Sequence, residues 1–276
     1  MLPLLGAAMA AGAVLTAPQP VRAASIAETF AKRADGSAKT VDHADWSRML
    51  AAYVRPGADG VNRVTYAKWK AEGHAALKGY VSRLEAVDVA SLDRAEQFAF
   101  WANLYNAKTI DVVLDKHPVA SIKDINLGGG LLTLVTGGPW KAKVVKVSGQ
   151  ALSLDDIEHA ILRPLFKDPR VHYAVNCASF GCPNLGTEAF TGATLDKQLD
   201  AAARAFVNHP RGVTVDAGKV QVSSIYHWFK EDFGGNDAGV LSHLRTYAAP
   251  ELKAKLEAAT AIAGHAYDWT LNEVKP

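Results

Sequence analysis

The sequence predicts an α+β domain, with helices packed around a small, mainly antiparallel sheet. Three observations carry that prediction. Several segments repeat apolar residues at three and four positions, the signature of helices. Short runs rich in Val and Thr read as strands, one pair of them joined at Ala217-Gly218 in a hairpin pattern. Helical segments flank these strands, which amounts to an α+β architecture. The chain has 276 residues, 49% of them hydrophobic, enough for a sizeable core. A formal net charge of +2 and the absence of Lys or Arg runs argue against a nucleic-acid partner.

Residues 1–24 differ in kind. They carry no charge before Arg22, are dominated by Ala, Leu, Gly and Val, and end in small residues suited to cleavage after Ala23 or Ala24. Pro18 and Pro20 interrupt a stretch already too short to span a bilayer. The expectation is a secretory signal peptide, although the usual basic residue at its start is absent, with periplasmic or secreted location and no transmembrane segment in the mature chain. Export would place the two cysteines in an oxidising compartment.

Residues 25–88 form a predicted helical region, with "IAETFAKRA" and "HADWSRMLAAYV" periodic and Asn62 to Tyr66 a short strand or an extended arm. Residues 89–276 form the main predicted domain, with a motif core at about 92–207 and a C-terminal extension at 208–276. In "SLDRAEQFAFWANLYNAKTIDVVLDKHP" Ser91 with Asp93 or Arg94 begins a helix that stops at His117-Pro118; it is apolar almost all round and therefore buried. Asn103 and Asn106 share one side of it. Each must either bond a neighbouring segment or line a cleft.

"NLGGGLLTLVTGGPW" lacks the Lys-Ser or Lys-Thr of a phosphate-binding loop and reads as a flap or hairpin. An alternating strand at Val144 to Val147 and a turn at Ser148 to Gln150 lead to a helix capped by Ser153 and Asp156. "RVHYAVN" reads as a strand and "ASFGCPNL" as a loop. An amphipathic helix follows in "TLDKQLDAAARAFVNHP", then the hairpin, a helical region in "GVLSHLRTYAAPELKAKLEAAT", and a terminal strand-like "AYDWTLNEV".

The candidate chemistry lies in "VHYAVNCASFGCPNL", which holds both cysteines. Cys177 and Cys182 are read either as a disulfide or as a thiol site in which one of them is a nucleophile activated by His172 or His159. No metal is expected, because His172, Cys177 and Cys182 supply only three ligands and neither CxxC nor HExxH spacing occurs. His172 and Cys177, five apart on a strand, would point to opposite faces unless the strand ends or bulges near Asn176. On a helix, adjacent Glu158 and His159 diverge, whereas His159 and Arg163 share a face suited to a carboxylate. The other histidines read as loop or surface residues.

Taken together, "FWANLYNAKTI", "SLDDIEHAILR", "DPRVHYAVNCASFGCPNL" and "YDWTLN" resemble the family called domain of unknown function 547, in order from about Leu92 to Asn272. The resemblance implies no settled activity. It implies that Asn103, Asn106, Glu158, His159, Arg163, His172, Cys177, Cys182 and Pro183 fall at the family's polar and thiol positions. A distant likeness to papain-like and transglutaminase-like cysteine enzymes is also expected, but the helix that bears the nucleophile there carries Asn103 or Asn106 here. The functional expectation is a thiol-centred cleft performing acyl transfer or hydrolysis on peptide or amide substrates. Cys177 or Cys182 would be the nucleophile, His172 or His159 the base and Asn103 a catalytic amide, while Asn106, Glu158 and Arg163 bind substrate. The alternatives are a non-catalytic module holding a small peptide or a low-molecular-weight thiol such as glutathione, and a structural domain stabilised by a disulfide. No cofactor is expected.

Overall fold

The computed structural model describes residues 25–127 and 138–275. The leader expected at 1–24 and most of the glycine-rich stretch lie outside the described residues. Among the described residues no helix is long and apolar enough to cross a membrane.

The fold is α+β. Its axis is the central helix Arg94–Lys116, capped by the Asp93 carboxylate, which accepts from the Glu96 amide at 2.9 Å. The all-round apolar pattern does what it predicts: residues from Phe98 to Leu114 are almost all buried. Helices Ala44–Tyr53, Tyr66–Glu72 and His74–Glu85 cover one side, with Trp46 stacked on Tyr80 (5.7 Å between centroids) and Tyr53 on Trp69 (4.9 Å). One hydrophobic cluster runs from Phe30 through Leu199 to Leu271 and so draws on residues on both sides of position 88.

The sheets are small. β1 (Val54–Pro56) pairs antiparallel with β2 (Asn62–Val64), and β3 (Val145–Val147) with β4 (Gln150–Leu152). The hairpin of β5 (Val213–Asp216) and β6 (Lys219–Ser223) turns through Ala217 and Gly218, both at positive φ, as a tight two-residue turn requires. β7 (Ile262–Ala266) then joins β6 in parallel. This sheet, the amphipathic helix Leu195–Val207 and helices Asp237–Tyr247 and Pro250–Glu257 enclose a second cluster around Phe206, Tyr226, Phe233 and Leu244.

The chain beyond β7 is a tie rather than a free strand. The Phe180 and Gly181 amides donate to the carbonyls of Thr270 and Asp268 (2.7 and 2.8 Å), and Asn272 accepts from the Val64 amide and donates to the Ala178 carbonyl. Residues far apart in sequence are thereby bound around the cysteine loop.

"RVHYAVN" is not a strand. Val171–Ala174 forms one helical turn and the chain becomes extended only at Val175, so the alternation expected for residues five apart does not hold. The histidine expectation also needs correction. His43 is buried, at 4% exposure, with Nδ1 2.6 Å from the Tyr80 hydroxyl, because the aromatic packing of the first helices closes over it.

Candidate active site

The site starts from the reciprocal cap at Ser153 and Asp156. The Asp156 carboxylate accepts from the Ser153 amide at 2.7 Å, and the Ser153 hydroxyl accepts from the Asp156 amide at 3.1 Å. From there the chain winds as a π-helix over Asp156–Leu162 before a last α-turn, Arg163–Phe166. Long π-helical stretches are rare and cluster at functional sites. The wider turn lets adjacent Glu158 and His159 reach the same cleft, which ordinary helical geometry disfavours. Glu158 is buried, whereas the His159 side chain is 37% exposed at the mouth.

The cleft has a volume of about 170 Å³. It brings together five of the predicted residues: Cys177, Cys182, His172, His159 and Glu158, with Pro183 beside them. Tyr105, Trp140, Trp228, Phe229, Tyr267 and Trp269 supply its aromatic walls, and Asp155 a second carboxylate.

Cys177 and Cys182 form a disulfide, with Cα atoms 6.3 Å apart. With both sulfurs joined, neither is a nucleophile in this state; a thiolate at either position requires reduction. The bond is held in a polar cradle. The Tyr267 hydroxyl lies 3.0 Å from Cys177 Sγ, 3.1 Å from Cys182 Sγ and 2.8 Å from the Ser179 hydroxyl, and the Cys177 amide donates to Cys182 Sγ at 3.0 Å. Burial pushes the Tyr267 phenol well above its ordinary range, so it stays protonated and able to donate. Arg211 fastens the rest of the loop, donating to the Phe180 carbonyl and to Asn184.

His172 is buried and stacked on Phe229, with centroids 4.3 Å apart. Its Nε2 lies 2.7 Å from Asp232 Oδ2, and its Nδ1 is 3.8 Å from Glu158 Oε1. Asp232 is in turn gripped by Arg163, whose Nε and Nη2 donate at 2.5 and 3.1 Å. Burial opposes ionisation of Asp232, but the hydrogen bonds from His172 and Arg163 outweigh it and hold the carboxyl well below the usual carboxylate range. Burial raises Asp155, an effect that His159 opposes. It also raises the Tyr105 phenol, and the neighbouring Glu158 carboxylate adds to that rise.

Three predicted residues stand elsewhere. The Asn103 amide donates to the Phe190 carbonyl and accepts from the Phe190 amide (2.8 and 3.0 Å). Asn106 donates to the Ala174 carbonyl and accepts from the Asn176 amide, both at 2.8 Å. Both amides therefore fasten backbone to the central helix, and neither lines the cleft. Arg163 is bound to Asp232 rather than open to a substrate carboxylate.

Sequence reasoning missed Asp232, 60 residues from its histidine with no local signal, and gave Tyr267 and Trp269 no role in a cleft. Away from the cleft, His74, Asp111 and Asp115 come within ligand distance of one another, but Lys78 and Lys108 already bond the Asp111 carboxylate at 2.8 and 2.7 Å and neutralise the cluster.

No curated protein and no solved structure matches the chain. Residues 89–207 match the family model described as "Protein of unknown function, DUF547". That match contains the central helix, the π-helix, His172 and both cysteines, while Asp232, Tyr267 and the "YDWTLN" motif lie beyond it. Residues 89–207 thus carry the similarity to DUF547, over less than half of the chain.

Proposed function

We propose that the cleft is a thiol-dependent site for acyl transfer or hydrolysis on peptide-like amides, resting in the disulfide state and opened by a thiol reductant. One observation carries this reading: a histidine fixed by a carboxylate lines the same cleft as the sulfur pair. Nucleophilic catalysis needs such a base with a group that orients it. Reduction by an external thiol yields two cysteine thiols and the oxidised reductant. Cys177, the less buried sulfur, then gives its proton to His172 and attacks the amide carbonyl. The departing amine takes that proton, and water or an acceptor amine releases the acyl group from sulfur. Asp232 positions His172 and Arg163 positions Asp232. The apolar leader at residues 1–24 supports placing this chemistry outside the cytoplasm, where the pair stays oxidised until a thiol arrives.

The closed sulfur pair favours the alternative, a non-catalytic module that binds a small molecule beside a structural disulfide. Alkylation of the reduced protein by iodoacetamide across pH separates the two. The catalytic reading expects one fast cysteine titrating well below a free thiol's value of about 8.5, and a return toward that value in His172→Ala. Two slow cysteines indifferent to His172 overturn it.

A further inference from the structure

Resting on the reading of this cleft as the ligand site, we infer that it takes ligands bearing an alkyl-clad ammonium group, bound between the aromatic walls and the Glu158 and Asp155 carboxylates. The first support is the charge of the lining. Among the described residues it includes two carboxylates and no Lys or Arg. The guanidinium beside it, on Arg163, is paired with Asp232. Lys141 acts on Asp155 from outside the lining and leaves Glu158 as the principal charge partner.

The second support is the wall itself. Trp140 and Trp269 meet edge to face at 5.6 Å, Tyr267 and Trp269 lie 4.6 Å apart, and Trp228 packs on Tyr267 at 4.9 Å. Trp228 nevertheless remains 45% exposed, which is unusual for so large an apolar residue. Electron-rich ring faces arranged around a carboxylate recognise organic cations. The third support is a cation already on this surface: the Lys123 ammonium sits 5.2 Å from the Trp269 ring centre. Because Trp269 and the other aromatic residues line one cleft with Glu158 and Asp155, a ligand ammonium there meets aromatic rings and a counter-charge together.

Together with the proposed reaction, this specifies amides whose acyl or amine part carries an ammonium. The binding claim is testable without the chemistry, because it concerns the disulfide-closed protein. Tryptophan fluorescence of the full chain would be titrated with choline, with its neutral isostere 3,3-dimethyl-1-butanol, with 3,3-dimethylbutyrate and with methyl glucoside. Choline is expected to bind saturably and at least about 10-fold more tightly than the alcohol, within the range of a partly desolvated cation–π contact. Glu158→Gln should reduce that discrimination several-fold, and Trp228→Ala should weaken choline while circular dichroism stays unchanged. Equal binding of choline and the alcohol, preference for the butyrate or the glucoside, or no saturable choline binding overturns the inference. If choline binds but iodoacetamide finds no activated cysteine, only the catalytic reading fails; an activated cysteine without choline binding leaves that reading intact and removes this one.

Discussion

The central helix and the cleft both place polar side chains within apolar sequence, and the two regions use them in opposite ways. On the helix, Asn103 gives donor and acceptor to the backbone of Phe190, and Asn106 gives both to the backbone of Ala174 and Asn176. In the cleft, Glu158, His159 and His172 sit on a widened helix and a single helical turn, with cavity in front of them. A buried amide can be satisfied by the peptide groups of one loop, whereas the buried imidazole of His172 takes its carboxylate partner, Asp232, from 60 residues away. Polar residues in a buried stretch therefore mark structure when a backbone loop passes within reach. They mark a site when the fold leaves space beside them.

The largest test of this contrast is Asn106→Ala. It orphans the Ala174 carbonyl and the Asn176 amide in the interior, and at about 2 kcal/mol each the expected loss is about 4 kcal/mol by urea denaturation. A loss below about 1 kcal/mol would show that the loop holds itself and that the helix amide is dispensable.

Acid is the next lever. Burial holds His43 and His243 down at about 4, against about 6.5 in the unfolded chain. Above about pH 6.5 neither state binds the proton and stability is unaffected. Between about 6.5 and 4 the unfolded state takes it up and the folded state does not, so stability falls as pH drops, by up to about 3 kcal/mol per histidine. Denaturation curves at pH 7 and pH 4.5 should diverge in the parent protein and converge in part for His43→Gln. Parallel losses in both proteins would mean that His43 takes up its proton while folded.

The smallest expected effect comes from the cleft. Cys177 and Cys182 close a loop of only a few residues, and Cys177→Ser with Cys182→Ser should cost about 2 kcal/mol, since short loops remove little unfolded-state entropy. Thermal unfolding checks this. A cost well above that of Asn106→Ala would make the disulfide the principal staple of the region and reverse the contrast.

Much of the fold was legible because its signals are local. Asp93 at the start of the central helix, the Ser153 and Asp156 box and the Ala217-Gly218 turn each act through neighbours within four residues, where composition and spacing carry the physics. "RVHYAVN" misled because Val and Tyr favour a strand only where a partner strand is present, and here the residues pack beneath Phe229 and beside the central helix as a helical turn. Adjacent Glu158 and His159 were judged on ordinary helical geometry, which the π-helix replaces.

By itself the sequence determined the helical frame, the buried central helix, the similarity to DUF547 over residues 89–207 and the short list of residues able to do chemistry, because periodicity, caps and motifs are properties of contiguous chain. Tertiary structure alone decided which of those residues meet. It spent the asparagines on backbone, joined Cys177 to Cys182 beneath Tyr267, and gave His172 its carboxylate from Asp232. Each of the choices involving Asn103, Asn106, Tyr267 and Asp232 is a contact across 60 or more residues, set by how helices and loops exclude water together rather than by any spacing along the chain.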